Sequence, residues 1–182
     1  MNDQVKAIMK YNEAYVAQEL YTQHETTKLP NRRVAILACM DTRLTVLLPQ
    51  ALGLKNGDAK IIKNVGGVTK NPYGSEMHGI LIAIYELGAE TVLIIGHDDC
   101  GGDTVEGKEI MEKMREAGIT DADFEKVKSE FKAIEDWFEG FHGVEEAVRS
   151  TVKMVNDHPL VHKDIAVVGM VMNPATGQLR SV

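Results

Sequence analysis

An α/β fold, built on a central, mostly parallel β-sheet flanked by helices, is what this sequence predicts, and three observations predict it. Four short runs rich in β-branched residues recur along the chain, each of strand length and bounded by polar or turn-forming residues. Segments of helical periodicity lie between them, and strands alternating with helices form parallel sheets with right-handed crossovers. At 182 residues, 44% of them hydrophobic, the chain suits one domain spanning 1–182 with a sizeable core.

The elements follow in chain order. Residues 1–25 read as an N-terminal helical arm, in which Val5, Ile8, Met9, Tyr15, Val16 and Leu20 form an apolar stripe interrupted at Asn12. Either the arm's own domain or a second subunit can cover that stripe. Strands are expected over 34–38 and 60–64. A helix follows over 75–87, where Ile80, Leu81, Ile84 and Leu87 share a face and Gly88 supplies the stop. The third strand covers 91–95. Residues 103–157 read as helices with acidic, solvated faces, broken at 118–121 and at 140–143. A fourth strand covers 165–171, and after the turn-like stretch 173–177 the last residues, 178–182, can add a C-terminal edge strand.

Charge narrows the partners. The net charge of −7 argues against nucleic acid and anionic membrane, both of which favour a basic surface. No apolar run approaches the length of a membrane span. The first residues, Met-Asn-Asp-Gln-Val-Lys, lack the apolar centre of a secretory signal, so a cytoplasmic location is expected.

The chemistry concentrates at two strand ends. Cys39 follows the first strand in Ala-Cys-Met-Asp-Thr-Arg, and His97 and Cys100 follow the third in Gly-His-Asp-Asp-Cys-Gly-Gly. The only two cysteines in the chain could form a disulfide or simply fill apolar space. A reducing cytoplasm disfavours the bridge, and two thiolates with an imidazole make a zinc site of three protein ligands. Structural zinc sites close with four, so three imply an open position and catalysis. Two thiolates neutralise the ion's charge, so its water is expected to titrate above the value of about 7 found with three histidines, giving an alkaline activity profile.

Asp41 and Arg43 are the neighbours of that site. The carboxylate can orient zinc-bound hydroxide while the guanidinium grips the carboxylate and keeps it off the metal. The plain alternative is a surface ion pair. Asp98 and Asp99 can cap a helix starting near Gly101 or hydrogen-bond a ligand from behind, and capping is the expectation. Gly66 and Gly67 suit a loop of close backbone approach whose amides could face substrate, without the spacing of a nucleotide-binding fingerprint. His24, His78, His142, His158 and His162 have no ligand spacing.

With these residues in view, the chain resembles the β-class carbonic anhydrases, in their compact microbial branch. Cys39-x-Asp41-x-Arg43 with His97-x-x-Cys100-Gly101 is similar to the zinc and dyad signature of that family. The likeness continues through Lys63-Asn64-Val65-Gly66-Gly67, through residues 87–97, and through Asn156-Asp157-His158-Pro159 and Thr176-Gly177-Gln178-Leu179. It covers 28–102 and 144–182, and 103–143 match poorly. Departures are His78-Gly79, where many relatives carry Arg-Ser, and Asp98, where Thr is frequent. The resemblance implies Cys39, His97 and Cys100 as Zn2+ ligands, Asp41 and Arg43 as catalytic dyad, and an N-terminal helix reaching over a partner in a homodimer or higher homo-oligomer. It implies reversible hydration of carbon dioxide to bicarbonate and a proton. The rivals are hydrolysis of carbon disulfide or carbonyl sulfide on the same scaffold, which calls for a narrow apolar passage, and a non-catalytic zinc or bicarbonate-binding protein, which calls for four protein ligands.

Overall fold

A computed structural model describes residues 2–182. Five strands form one sheet in the order β2-β1-β3-β4-β5, where β1 is Val34–Cys39, β2 Ala59–Asn64, β3 Thr91–His97, β4 Ala166–Met172 and β5 Leu179–Ser181. The first four are parallel, and β5 adds an antiparallel edge. Both the sheet and its edge strand match the sequence expectation. The strand ends differ in a way that matters. Cys39 and His97 are the last residues of β1 and β3 rather than loop residues, because pairing continues to Cys39 opposite Asn64 and His97 opposite Met172. Two metal-ligating candidates are therefore fixed by the sheet ladder itself.

Packing explains the pattern of runs. In β1 the residues Ala35, Ile36, Leu37 and Ala38 are fully buried, so the strand is covered on both faces and reads as an unbroken apolar run. Edge strand β2 alternates in exposure, with Ile61 at the surface. Helix α3 (Ser75–Tyr85) lies on β1 and β2 and buries Met77, Ile80, Ala83 and Ile84. It stops where Leu87 turns back, the Ala89 N–H donating to the Ala83 carbonyl across Gly88 at φ +70°. Helix α7 (Val144–Asp157) lies on β3 and β4 and buries Val148, Thr151 and Val155, spaced for one helical face. Helix α2 (Leu44–Ala51) was not legible as an apolar stripe, because Pro49 interrupts it.

Residues 103–143 hold three short helices: α4 (Gly107–Glu116), α5 (Asp121–Glu130) and α6 (Ile134–Phe138). Their own small core is Met111, Phe124 and Ile134, flanked by Met114 and Phe138. The expected break at 118–121 separates α4 from α5 and that at 140–143 separates α6 from α7, whereas the break at 131–133 between α5 and α6 was not expected; Thr120 opens α5 with a reciprocal capping box to Asp123. The arm is helix α1 (Asp3–Ala17), capped by the Asn2 side chain accepting from the Val5 N–H at 2.9 Å, followed by a 3₁₀ turn over Leu20–His24. No residue of α1 is buried, so its own chain does not cover its stripe. Among the described residues no helix is long and apolar enough to cross a membrane.

Candidate metal centre

The chain leaves β1 toward one edge of the sheet to form β2, then crosses back to place β3 on the other side of β1. The carboxyl ends of β1 and β3 thus flank the point where strand order reverses, the position at which open α/β sheets bind ligands. Cys39 and His97 end those two strands, and the turn after β3 returns Cys100 beside them. One ligating atom from each of Cys39, His97 and Cys100 lies within 4.8 Å of the others, and all three residues are buried. The two sulfurs are 3.8 Å apart and unbonded. That separation excludes a disulfide, whose sulfurs stand about 2.05 Å apart. It equals the edge of a tetrahedron with zinc–sulfur bonds of about 2.3 Å, which is about 3.8 Å.

The donor set fits a cation. His97 Nδ1–H donates to the Asp98 carbonyl at 2.8 Å, which leaves Nε2 as the basic nitrogen, buried and without a hydrogen-bond partner. Such an orphaned atom is costly unless something binds it. The Cys39 thiol is pushed toward its thiolate by the hydrogen bond from Cys100 and, against the cost of burial, by His97 and by the Asp41 and Gly66 amides. Cys100 moves upward, because the Cys39 thiolate and burial both oppose a second negative charge. Burial pulls His97 downward, but the Cys39 sulfur and the Asp98 carbonyl outweigh it and the net shift is upward.

Asp41 and Arg43 stand beside this cluster. Asp41 Oδ2 is 3.8 Å from His97 Nε2. Arg43 Nη2 reaches Oδ2 at 2.9 Å, Nε reaches Oδ1 at 3.1 Å, and the Arg43 backbone N–H donates to Oδ1 at 2.8 Å. These bonds hold the Asp41 carboxyl well below the usual range, at about 2. The guanidinium has a second anchor in Asp99, whose carboxylate and carbonyl each accept at 2.8 Å.

Neither Asp98 nor Asp99 caps a helix, contrary to the sequence expectation. Residues Gly101–Asp103 form a single 3₁₀ turn without a side-chain cap, and α4 begins only at Gly107. Asp99 binds Arg43 and Asp98 binds Arg180, because an arginine fork offers a carboxylate two charge-assisted bonds where a helix start offers a neutral N–H. Arg180 escaped sequence reasoning altogether, since 82 residues separate it from Asp98.

The glycine loop lies against the same strand ends. The Gly66 N–H donates to Cys39 Sγ at 3.3 Å, so this amide faces a sulfur. Gly67, at φ +68°, packs so closely that a Cβ there would come within 2.7 Å of the Cys39 nitrogen and the Ile95 carbonyl oxygen. Phe141, also missed in the sequence, covers Gly66 and Gly102. Of the remaining histidines none joins the cluster, and His158 is buried against the edge of Tyr73.

A three-donor centre with a restrained carboxylate at the switch point of a parallel sheet defines a class, the α/β metalloenzymes that keep one coordination position for water or substrate. The comparisons with known proteins narrow it. The family model described as carbonic anhydrase matches residues 34–179. The chain is similar to "Putative carbonic anhydrase YvdA" of Bacillus subtilis (strain 168), with 46% identity over 181 residues, 98% of this chain and 92% of that protein. It is 28% identical to a carbon disulfide hydrolase of Acidithiobacillus thiooxidans, over 82% of this chain and 77% of that protein. Its fold is similar to the crystal structure of β-carbonic anhydrase isoform I from Trichomonas vaginalis, with a TM-score of 0.85, 30% identity, and 99% and 97% of the two chains covered. The chain belongs to the β-class carbonic anhydrase family.

Proposed function

We propose that the protein is a zinc-dependent carbonic anhydrase that interconverts carbon dioxide and water with bicarbonate and a proton. One observation carries the reading: a carboxylate oxygen of Asp41, held by Arg43, stands 3.8 Å from the orphaned His97 Nε2 of a three-donor cluster. Cys39, His97 and Cys100 would hold the zinc, a Lewis acid that makes water a competent nucleophile at moderate pH. Asp41, ionised throughout the working range, accepts a hydrogen bond from the attacking water and aims it at the carbon. Arg43 fixes both oxygens of Asp41 and keeps them from becoming a fourth ligand. The Gly66 amide steadies the Cys39 sulfur, and Gly67 lets its loop pack directly on the β1 and β3 backbone beside the donors. The product proton passes to buffer.

Two features favour carbon dioxide over its sulfur analogues and over mere zinc storage. The rim carries exposed, charged Arg43 and Asp99, where access for the sulfur analogues calls for an apolar passage. Among the described residues the cluster has three members, and Asp41 is engaged elsewhere. The uncovered stripe of α1 supports a homodimer in which a second copy covers it, and the composition supports a cytoplasmic protein. Stopped-flow hydration of carbon dioxide on zinc-quantified protein tests the reading. We expect a rate proportional to zinc content and well above that with carbonyl sulfide. Hydrolysis of carbonyl sulfide without carbon dioxide hydration would reassign the substrate.

A further inference from the structure

Asp98 sits between two of the three donors and is tied to three other elements. Its N–H donates to the Met172 carbonyl at the end of β4, at 3.0 Å, and its own carbonyl accepts from His97 Nδ1 at 2.8 Å. Its two carboxylate oxygens accept from Arg180 Nη1 and Nη2 at 2.9 and 2.7 Å. Arg180 lies on β5 and is braced in turn by Glu145, in the first turn of α7, whose Oε1 accepts from Nε at 3.1 Å. A two-pronged contact of this kind sets direction as well as distance. Both side chains are part-exposed, so the pair adds little to global stability. Its consequence is local, because the same residue whose side chain is clamped supplies the carbonyl that selects the His97 tautomer and ring angle. Such partners of a metal-binding histidine govern how well the other nitrogen is presented.

We propose that Arg180 is a positioning residue for the metal centre: by clamping Asp98 it fixes the carbonyl that holds His97 with Nε2 facing the two sulfurs. The inference rests on Cys39, His97 and Cys100 being the zinc ligands, and it makes the C-terminal edge strand part of the site.

Zinc affinity by competition with a chromogenic chelator, the visible spectrum of the cobalt(II)-substituted protein and the melting midpoint of the metal-free protein test it together. In Arg180→Ala we expect zinc affinity to fall on the order of 10–100-fold, with an altered cobalt spectrum and an almost unchanged midpoint. Arg180→Lys keeps the charge without the fork and should restore affinity only in part. Asp98→Ala should reproduce the loss, and the double variant should lose no more than either single one, since the two act as a unit. Wild-type affinity and spectrum in both single variants, or losses that add, would overturn the proposal. Should Arg180→Ala not fold, Arg180→Lys and Asp98→Asn, which preserve volume, decide by the same readouts. A wild-type protein that binds zinc through these ligands yet hydrates no carbon dioxide would refute the proposed activity and leave the Arg180 test intact.

Discussion

At the carboxyl ends of β1 and β3, Cys39 and Cys100 belong to the main hydrophobic core and His97 is fully buried beside them, whereas α4, α5 and α6 close on a small cluster of their own around Phe124. The two regions meet at Phe141, whose amide donates to the Gly102 carbonyl and whose ring covers Gly66 and Gly102 within the main core, and at the Lys70 ammonium, which holds the Glu139 and Gly140 carbonyls. Donors embedded in a packed core have little freedom to move, so the arrangement of these three is preorganised for an ion. The helical segment has no such constraint.

If the strand ends are the functional region, substitutions there should act on metal and activity first. The largest effect is expected from His97→Ala or Cys100→Ser, each of which should lose most of the roughly one zinc per chain, measured by metal analysis of purified protein, and with it nearly all hydration activity. Full zinc occupancy in both variants would remove the distinction between the two regions. Arg43→Ala comes next. Zinc content should stay near wild type while the hydration rate falls on the order of 10–100-fold, because Asp41 is no longer held; an unchanged rate would reduce the pair to an ordinary ion pair.

The periphery should respond differently. Deleting residues 1–20 leaves the sheet core intact but removes the stripe that a second copy would cover, so sedimentation should show monomers or aggregates with little activity. A dimeric, active truncation would make the arm dispensable. The smallest effect on chemistry is expected from Phe124→Ala, which opens the minor core at a cost of about 3–5 kcal/mol to that cluster. Hydrogen exchange should speed up across 107–138 while zinc content and rate stay unchanged. Loss of zinc in this variant would show that the helical segment and the site are one cooperative unit.

How much of this was legible in the sequence follows from the same contrast. Unbroken β-branched runs announce strands buried on both faces, and the residues that end them are readable as a site because strand ends are where parallel sheets do chemistry. Cys39, Asp41, Arg43, His97 and Cys100 are close in sequence to those ends, and the structure brings all five together. Asp98 and Asp99 were misread because local spacing suggests a cap and says nothing of arginines reaching in from other elements. Arg180 and Phe141 have no local signal, since their contacts depend on where β5 and the loop before α7 come to rest. The arm's stripe is legible as apolar, but nothing in a single chain can name its cover.

The restrained carboxylate is the central claim, and crystal structures of the zinc-loaded protein at about pH 6 and pH 9 test it most directly. Asp41 has a depressed pKa of about 2, so its contribution to stability is present above the unfolded carboxyl value of about 3.9 and is lost only as pH falls through about 2. It therefore remains ionised at both pH values, so a rise in activity from pH 7 towards about 8.5–9 reflects ionisation of water rather than of Asp41, while its place on Arg43 is set by the three bonds Arg43 gives it. We expect zinc held by Cys39, His97 and Cys100 with a fourth ligand from outside the protein, and an intact Asp41–Arg43 pair, in both structures. An Asp41 oxygen on the zinc at pH 6, or a fourth protein ligand at either pH, would contradict the account.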